Sequence, residues 1–147
     1  MKQTKAQVSL YEGILFKSTI EAYMYKLLKI NNIDFDYEEQ SFQLTKDFCF
    51  PNPSFEKFLN GKGKFKERGK DKKHQGMRYT PDFTSPTGND LKFVIEVKGR
   101  SFPDFPRTWK LFKEFITNKG WKTVLFVPRT QRDCKEVVTL IKELNLE

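Results

Sequence analysis

The spacing of apolar residues changes several times along the chain, and each change marks an element. Residues 1 to about 17 read as a polar arm leading into a short apolar turn, Ile14-Leu15-Phe16. Ser18 is a suitable helix N-cap, with Glu21 three residues on as the partner in a capping box. Ile20, Tyr23, Met24, Leu27 and Leu28 then recur at helical spacing until Asn31-Asn32 ends the helix. Phe35 to Leu44 alternates in part and predicts a strand. Residues 77–98 predict a hairpin: the first arm ends near Asp82-Phe83, Pro86 to Asp90 is turn-forming, and Leu91 to Lys98 is the return arm. Within that arm Phe93-Val94-Ile95-Glu96-Val97 is apolar on both faces except at Glu96, which argues for a central strand. Helical spacing returns over 107–118 with Trp109, Phe112, Phe115 and Ile116. Trp121 to Val127 is a second continuous apolar strand, and a last helix over about 131–145 buries Cys134, Val137, Val138, Ile141 and Leu144.

The predicted order is therefore α-β-β-β-α-β-α. The strand–helix–strand unit over 91–127 calls for a right-handed parallel crossover, and the earlier strands can pair antiparallel. An α/β fold follows, with a mixed central sheet flanked by helices, in a single domain over residues 1–147. Residues 45–77 interrupt this pattern. They start aromatic and Pro-rich, allow a short helix at 54–59, and then turn to Gly and Lys; from 61 to 78 eight Lys/Arg face two acidic residues, a local net charge of +6. Gly and like charge oppose packing, so this segment is expected to be a basic, exposed and mobile insertion loop.

Charge sharpens the picture. The chain carries 27 Lys+Arg against 19 Asp+Glu, a net charge of +8, and such an excess favours a polyanionic partner, nucleic acid first. Lys62, Lys64, Lys66, Arg68, Lys70, Lys72 and Lys73 are placed to contact phosphates without reading sequence. Arg100, Arg107, Lys110 and Lys113 flank the candidate site described next and are candidates to hold a bound strand. DNA is the expected partner, with RNA left open. Cys49 and Cys134 are far apart and in no CxxC pair, which argues against thiolate zinc and disulfides and for a reducing, cytoplasmic setting. Both cysteines read as inert. The N-terminus lacks the apolar stretch of a signal peptide, and no apolar run is long enough to span a bilayer, so no membrane partner is expected.

Glu96 and Lys98 stand two apart on a strand and so share one face. Charges on a central strand need compensating partners, and a divalent cation with an anionic substrate would be such partners. Asp82 ends the preceding arm, close enough along the hairpin for its carboxylate to meet that of Glu96 at one end of the sheet. Asp82, Glu96 and a main-chain carbonyl such as that of Val97 would form an all-oxygen site suited to Mg²⁺ or Mn²⁺. The lone histidine, His74, argues against a His-based zinc centre and reads as a bystander. A metal so held can lower the pKa of a water and neutralise a phosphate. Lys98 is assigned electrostatic stabilisation. Glu21, at the edge of the first helix's buried stripe, either closes the capping box or adds a carboxylate to the site. Asp82 taken alone also suits an ordinary turn.

Thr80-Pro81-Asp82-Phe83 followed by Ile95-Glu96-Val97-Lys98-Gly99 resembles the PD…ExK signature of the restriction-endonuclease-like, or PD-(D/E)xK, superfamily. Ser18-Thr19-Ile20-Glu21 opening a helix and Tyr37-Glu38-Glu39-Gln40 on the next strand extend the likeness over roughly residues 14–127. The pattern is similar to that of phage-type endonuclease I Holliday junction resolvases, TnsA-type transposase endonucleases and small phage nucleases. The resemblance implies a mixed α/β fold, Mg²⁺ dependence and hydrolysis of the DNA backbone. It maps metal ligation onto Asp82, Glu96 and Glu21, and the catalytic lysine onto Lys98. The long basic segment 45–77 departs from the family pattern. Three functions are consistent with these features: a DNA endonuclease acting on branched or recombination DNA, a non-catalytic nucleic-acid-binding module, and a nuclease subunit of a larger phage or transposition complex. Cutting two strands needs two sites, which is compatible with a homodimer or a larger DNA-processing complex. A virus-encoded protein acting in a host cytoplasm would fit the same reading.

Overall fold

The computed structural model describes residues 9–88, 90–98 and 103–147. It opens with a hairpin, β1 (Ser9–Tyr11) and β2 (Ile14–Phe16), joined by Glu12 and Gly13, both at positive φ (48° and 77°). That is the two-residue turn whose twist matches antiparallel strands. The expected apolar turn at 14–16 is thus a strand; strands of three residues are too short to show a period.

Helix α1 (Thr19–Ile30) begins at Ser18, whose hydroxyl accepts from the Glu21 amide at 3.1 Å. It is followed by β3 (Asp36–Tyr37). The single strand expected over 35–44 breaks after Tyr37, where Glu38 takes a left-handed φ of 49°. The chain then runs through β4 (Phe42–Gln43), β5 (Phe48–Phe50), β6 (Phe55–Glu56), β7 (Lys66–Glu67), β8 (Lys72–His74) and β9 (Arg78–Tyr79). It returns as β10 (Phe83–Thr84), β11 (Phe93–Ile95), α2 (Phe105–Lys119), β12 (Val124–Phe126) and α3 (Gln131–Glu143).

The chain divides into two compact units, Met1–Ser41 with Thr80–Glu147, and Phe42–Tyr79. The first contains a four-stranded sheet in the order β12-β11-β10-β3. β11 and β12 are parallel across α2, and the other neighbours are antiparallel. From α1 onward its elements follow the expected α-β-β-β-α-β-α order, and the fold is α/β. Its core joins Met24, Tyr25 and Leu28 of α1 to Val137, Val138 and Ile141 of α3, over the Phe93 and Ile95 face of β11. Leu144, expected in this core, is half exposed because α3 ends before it. α3 is fixed at its start by a complete capping box between Thr130 and Asp133. No helix among the described residues is long and apolar enough to cross a membrane.

The second unit corrects the reading of 45–77 as a loop and of 54–59 as a helix. β4 pairs with β9, β5 with β8 and β6 with β7, three nested antiparallel ladders that make one long two-stranded ribbon. The register slips by one residue between the first and second ladders, as a bulge requires, and is kept between the second and third. β9 therefore belongs to the ribbon, not to the hairpin expected over 77–98, whose paired arms are β10 and β11. The glycines that suggested a loop allow close approach instead. A Cβ at Gly76 would lie 1.9 Å from the Thr45 carbonyl oxygen, and one at Gly69 would lie 2.6 Å from the Ser54 Cβ. The Glu67 carboxylate accepts from the backbone N–H groups of Ser54, Gly69 and Lys70 and closes the turn between β7 and β8 onto the opposite strand.

Candidate metal centre

The site lies where β3, β10 and β11 end together. Phe83 is paired with Tyr37 on one side and Ile95 on the other. One residue further along the same antiparallel registers, Glu38, Asp82 and Glu96 form a single row across three strands. Hydrogen bonds hold that row. The Glu38 N–H donates to the Asp82 carbonyl at 2.9 Å, the Asp82 N–H to Glu96 Oε2 at 3.2 Å, and the Val97 N–H to Asp82 Oδ2 at 2.8 Å. β11 continues past Ile95 along β12: the Glu96 N–H donates to the Phe126 carbonyl and the Lys98 N–H to that of Pro128.

The alternation expected on β11 is present. Ile95 and Val97 enter the core, and Glu96 and Lys98 share the opposite face, where Lys98 Nζ lies 3.0 Å from Glu96 Oε1. The Lys98 ammonium also lies 4.7 Å from the centre of the Phe105 ring at the start of α2, a cation–π distance. Both side chains are largely buried, at 16% and 8% exposure, where opposite charges brought together offset part of the desolvation cost.

Glu21 reaches this end of the sheet from α1. Its amide caps the helix through Ser18, but its carboxylate is engaged by the Tyr37 hydroxyl, which donates to Oε1. The backbone of Glu21 caps the helix, and its side chain lies near the carboxylates of Glu38 and Asp82. Glu21 is buried, and that burial raises its carboxyl above the usual range. The Tyr37 phenol is pushed far up by its own burial and by the adjacent Glu21.

One carboxylate oxygen from each of Glu21, Glu38 and Asp82 lies within 4.8 Å of the other two. Burial first, then the charges of Glu96 and Glu21, push Asp82 up to about 8. Several carboxylates in one partly buried pocket repel each other and hold protons in the absence of a cation. Three carboxylate oxygens gathered this closely could hold a hard divalent cation.

Glu38 was not singled out as a ligand from sequence. Its signal there is weak, one acidic residue in a Glu38-Glu39 pair beside Tyr37. What selects it is the pairing of β3 with β10, which joins residues more than forty positions apart. Its left-handed φ is a sparsely occupied conformation for a non-glycine residue, and such strain concentrates at functional sites. Val97 contributes its amide to Asp82 and its side chain to the core.

Of the basic residues, Arg107, Lys110 and Lys113 stand exposed along α2. Arg100 lies outside the described residues. Lys62, Lys64, Lys66, Lys70, Lys72 and Lys73 are exposed on the ribbon, whereas Arg68 is half-buried, its guanidinium over the Phe58 ring.

The chain belongs to the family described as protein of unknown function DUF1064, whose model matches residues 1–125. That span includes the ribbon and every acidic residue of the site. No curated protein and no solved structure matches the chain.

Proposed function

We propose that this chain is a divalent-metal-dependent endonuclease that hydrolyses DNA phosphodiester bonds. The observation that carries the reading is the convergence of Glu21, Glu38 and Asp82 beside a buried Glu96–Lys98 pair at one sheet end. In this reading Asp82, Glu21 and Glu38 would hold a Mg²⁺ or Mn²⁺ ion, and Glu96 and the Val97 carbonyl, beside them, are further candidate oxygen donors. The ion would supply an activated water and a positive charge at the phosphate. Lys98, held by Glu96, places a fixed ammonium where negative charge grows on the phosphate oxygens. The Val97 amide fixes the orientation of the Asp82 carboxylate, and the Tyr37 hydroxyl that of Glu21. Arg107, Lys110 and Lys113 on α2 would bind backbone phosphates of the substrate without reading its sequence. The likeness to junction resolvases favours branched or recombination DNA as the substrate. The PD…ExK spacing and the α-β-β-β-α-β-α order support the same assignment.

The test is incubation with supercoiled plasmid and with synthetic four-way junctions, in Mg²⁺ and in EDTA. Metal-dependent cleavage that Asp82→Asn abolishes, with DNA binding retained, is the expected result. Failure to cut any DNA form in Mg²⁺ or Mn²⁺ would overturn the proposal. The ribbon carries ten Lys/Arg against four Asp/Glu, +6 of the chain's +8, and this favours, as the second reading, a nucleic-acid-binding module without catalysis. That reading requires salt-sensitive binding unaffected by Asp82→Asn and no cutting. A nuclease subunit of a larger complex would instead gain metal-dependent cutting when its partners are added.

A further inference from the structure

The ribbon has two properties that a simple phosphate-binding arm does not need. Phe55, Phe58 and Phe65, around its tip, are exposed at 57%, 56% and 68%. They alternate with Lys57, Lys62, Lys64 and Lys66 in the sequence. A two-stranded ribbon has no second layer to bury such rings, and solvent-exposed aromatic clusters mark interaction surfaces.

The rings already accept flat groups against their faces. The Arg68 guanidinium lies 4.2 Å from the Phe58 centroid. Lower on the ribbon, Phe48 stacks on His74 with centroids 5.0 Å apart and planes 16° from parallel. Phe55 of β6 and Phe65, which precedes β7, come together with centroids at 6.1 Å. Exposed aromatic faces interleaved with lysines are the combination that binds single-stranded nucleic acid: cations follow the phosphates while bases stack on the rings. Paired bases offer no free faces to such rings, so the aromatic part of this surface selects unpaired nucleotides.

We infer that the ribbon Phe42–Tyr79 binds unpaired nucleotides of DNA, stacking bases on Phe55, Phe58 and Phe65 while its lysines hold the backbone. The inference deepens the nuclease proposal by naming a substrate class, DNA with single-stranded segments such as tails, flaps or open branch points. It commits to nucleic acid over an anionic membrane because the exposed large apolar side chains at the tip are mainly aromatic rings, with Leu59 the aliphatic exception.

The experiment uses the full chain in EDTA, so that binding is read without cleavage. Fluorescence anisotropy compares oligothymidine of about 20 nucleotides, long enough for several stacked bases, with a blunt duplex of the same length. Wild type should bind the single strand more tightly than the duplex. The triple variant F55A/F58A/F65A should lose about tenfold or more of its affinity for oligothymidine, and less than about threefold for the duplex, where phosphate contacts dominate. Circular dichroism of the triple variant checks the fold. F58W provides a second reading that needs no truncation: its fluorescence should be quenched by oligothymidine and not by the duplex. K62A/K64A/K66A should weaken both ligands and flatten the salt dependence.

Equal losses on the two ligands, no quenching of F58W, or no single-strand binding by wild type would each overturn the inference. So would tight binding to phosphatidylserine vesicles with none to DNA. The inference and the nuclease reading fail separately. Wild type that cuts DNA while the aromatic variants bind unchanged refutes only the stacking surface. Wild type that binds oligothymidine but never cuts refutes only the nuclease.

Discussion

Asp82→Asn should make the metal-free protein more stable at neutral and alkaline pH, although it removes a residue placed at the heart of the site. Burial and the charges of Glu96 and Glu21 raise the Asp82 carboxyl from 3.8 to about 8. The native state thus keeps a proton that the unfolded chain loses near pH 4. Between those values unfolding releases a proton, so stability falls as pH rises through the window. Below the unfolded pKa the group contributes no difference, and above about 8 the penalty is complete. The full displacement corresponds to an upper limit of about 5–6 kcal/mol, at about 1.4 kcal/mol per unit. Solvent and side-chain relaxation at a partly exposed site reduce this to about 2–4 kcal/mol. Asparagine carries no charge to desolvate, and its carbonyl oxygen can still accept from the Val97 amide. In EDTA the variant should therefore exceed wild type by about 2–4 kcal/mol near pH 8, and by far less near pH 5, where wild type is itself protonated. Saturating Mg²⁺ should narrow the gap by stabilising wild type, about 2.7 kcal/mol at a hundredfold excess over Kd, and should do little for the variant. Urea denaturation followed by circular dichroism, in EDTA and in Mg²⁺ across this pH range, measures each quantity. Wild-type stability that is flat with pH in EDTA, or a variant less stable than wild type near pH 8, would refute the electrostatic reading of the cluster.

Three further substitutions test separate parts of the account. Tyr37→Phe removes the hydroxyl that orients Glu21 but keeps a ring among Phe16, Tyr25 and Phe83; Mn²⁺ affinity by calorimetry should fall about tenfold, with little change in stability. Lys98→Met leaves the buried Glu96 without its ammonium partner and should destabilise by about 3 kcal/mol in urea; metal-dependent cutting should be lost under conditions where the variant remains folded. Thr130→Ala removes one half of the α3 capping box, should cost about 1 kcal/mol, and should leave cutting and metal binding unchanged, since α3 contributes no group to the site.

The parts of the fold that the sequence reveals are those where burial imposes a period. α1, α2 and α3 each carry a one-sided apolar stripe, and Phe93 to Val97, which begins as β11, is an apolar run broken only by Glu96. Their order and the parallel crossover follow from these patterns. The pairing of Glu96 with Lys98 on one face needs only the strand period of two. The ribbon shows no such signal because both of its faces meet water, so no face needs to be apolar. Its backbone is held by ladders and by Glu67, and its glycines permit close strand approach where composition alone suggests slack. Glu38 was hidden for a different reason. Its place in the row depends on which strand lies beside β10, and that neighbour comes from a pairing across the whole ribbon. The split roles of Glu21, amide to the cap and carboxylate to Tyr37, likewise require the third dimension.

Diffraction from crystals soaked in Mn²⁺, with anomalous signal collected at the manganese edge, decides whether Glu21, Glu38 and Asp82 bind a cation. A peak is expected at about 2.2 Å from carboxylate oxygens, bound by Asp82 together with Glu21 or Glu38, with Glu96 and the Val97 carbonyl as candidates to complete the shell. A saturating soak with no peak at that sheet end, or manganese bound only to acidic groups elsewhere, would contradict this expectation.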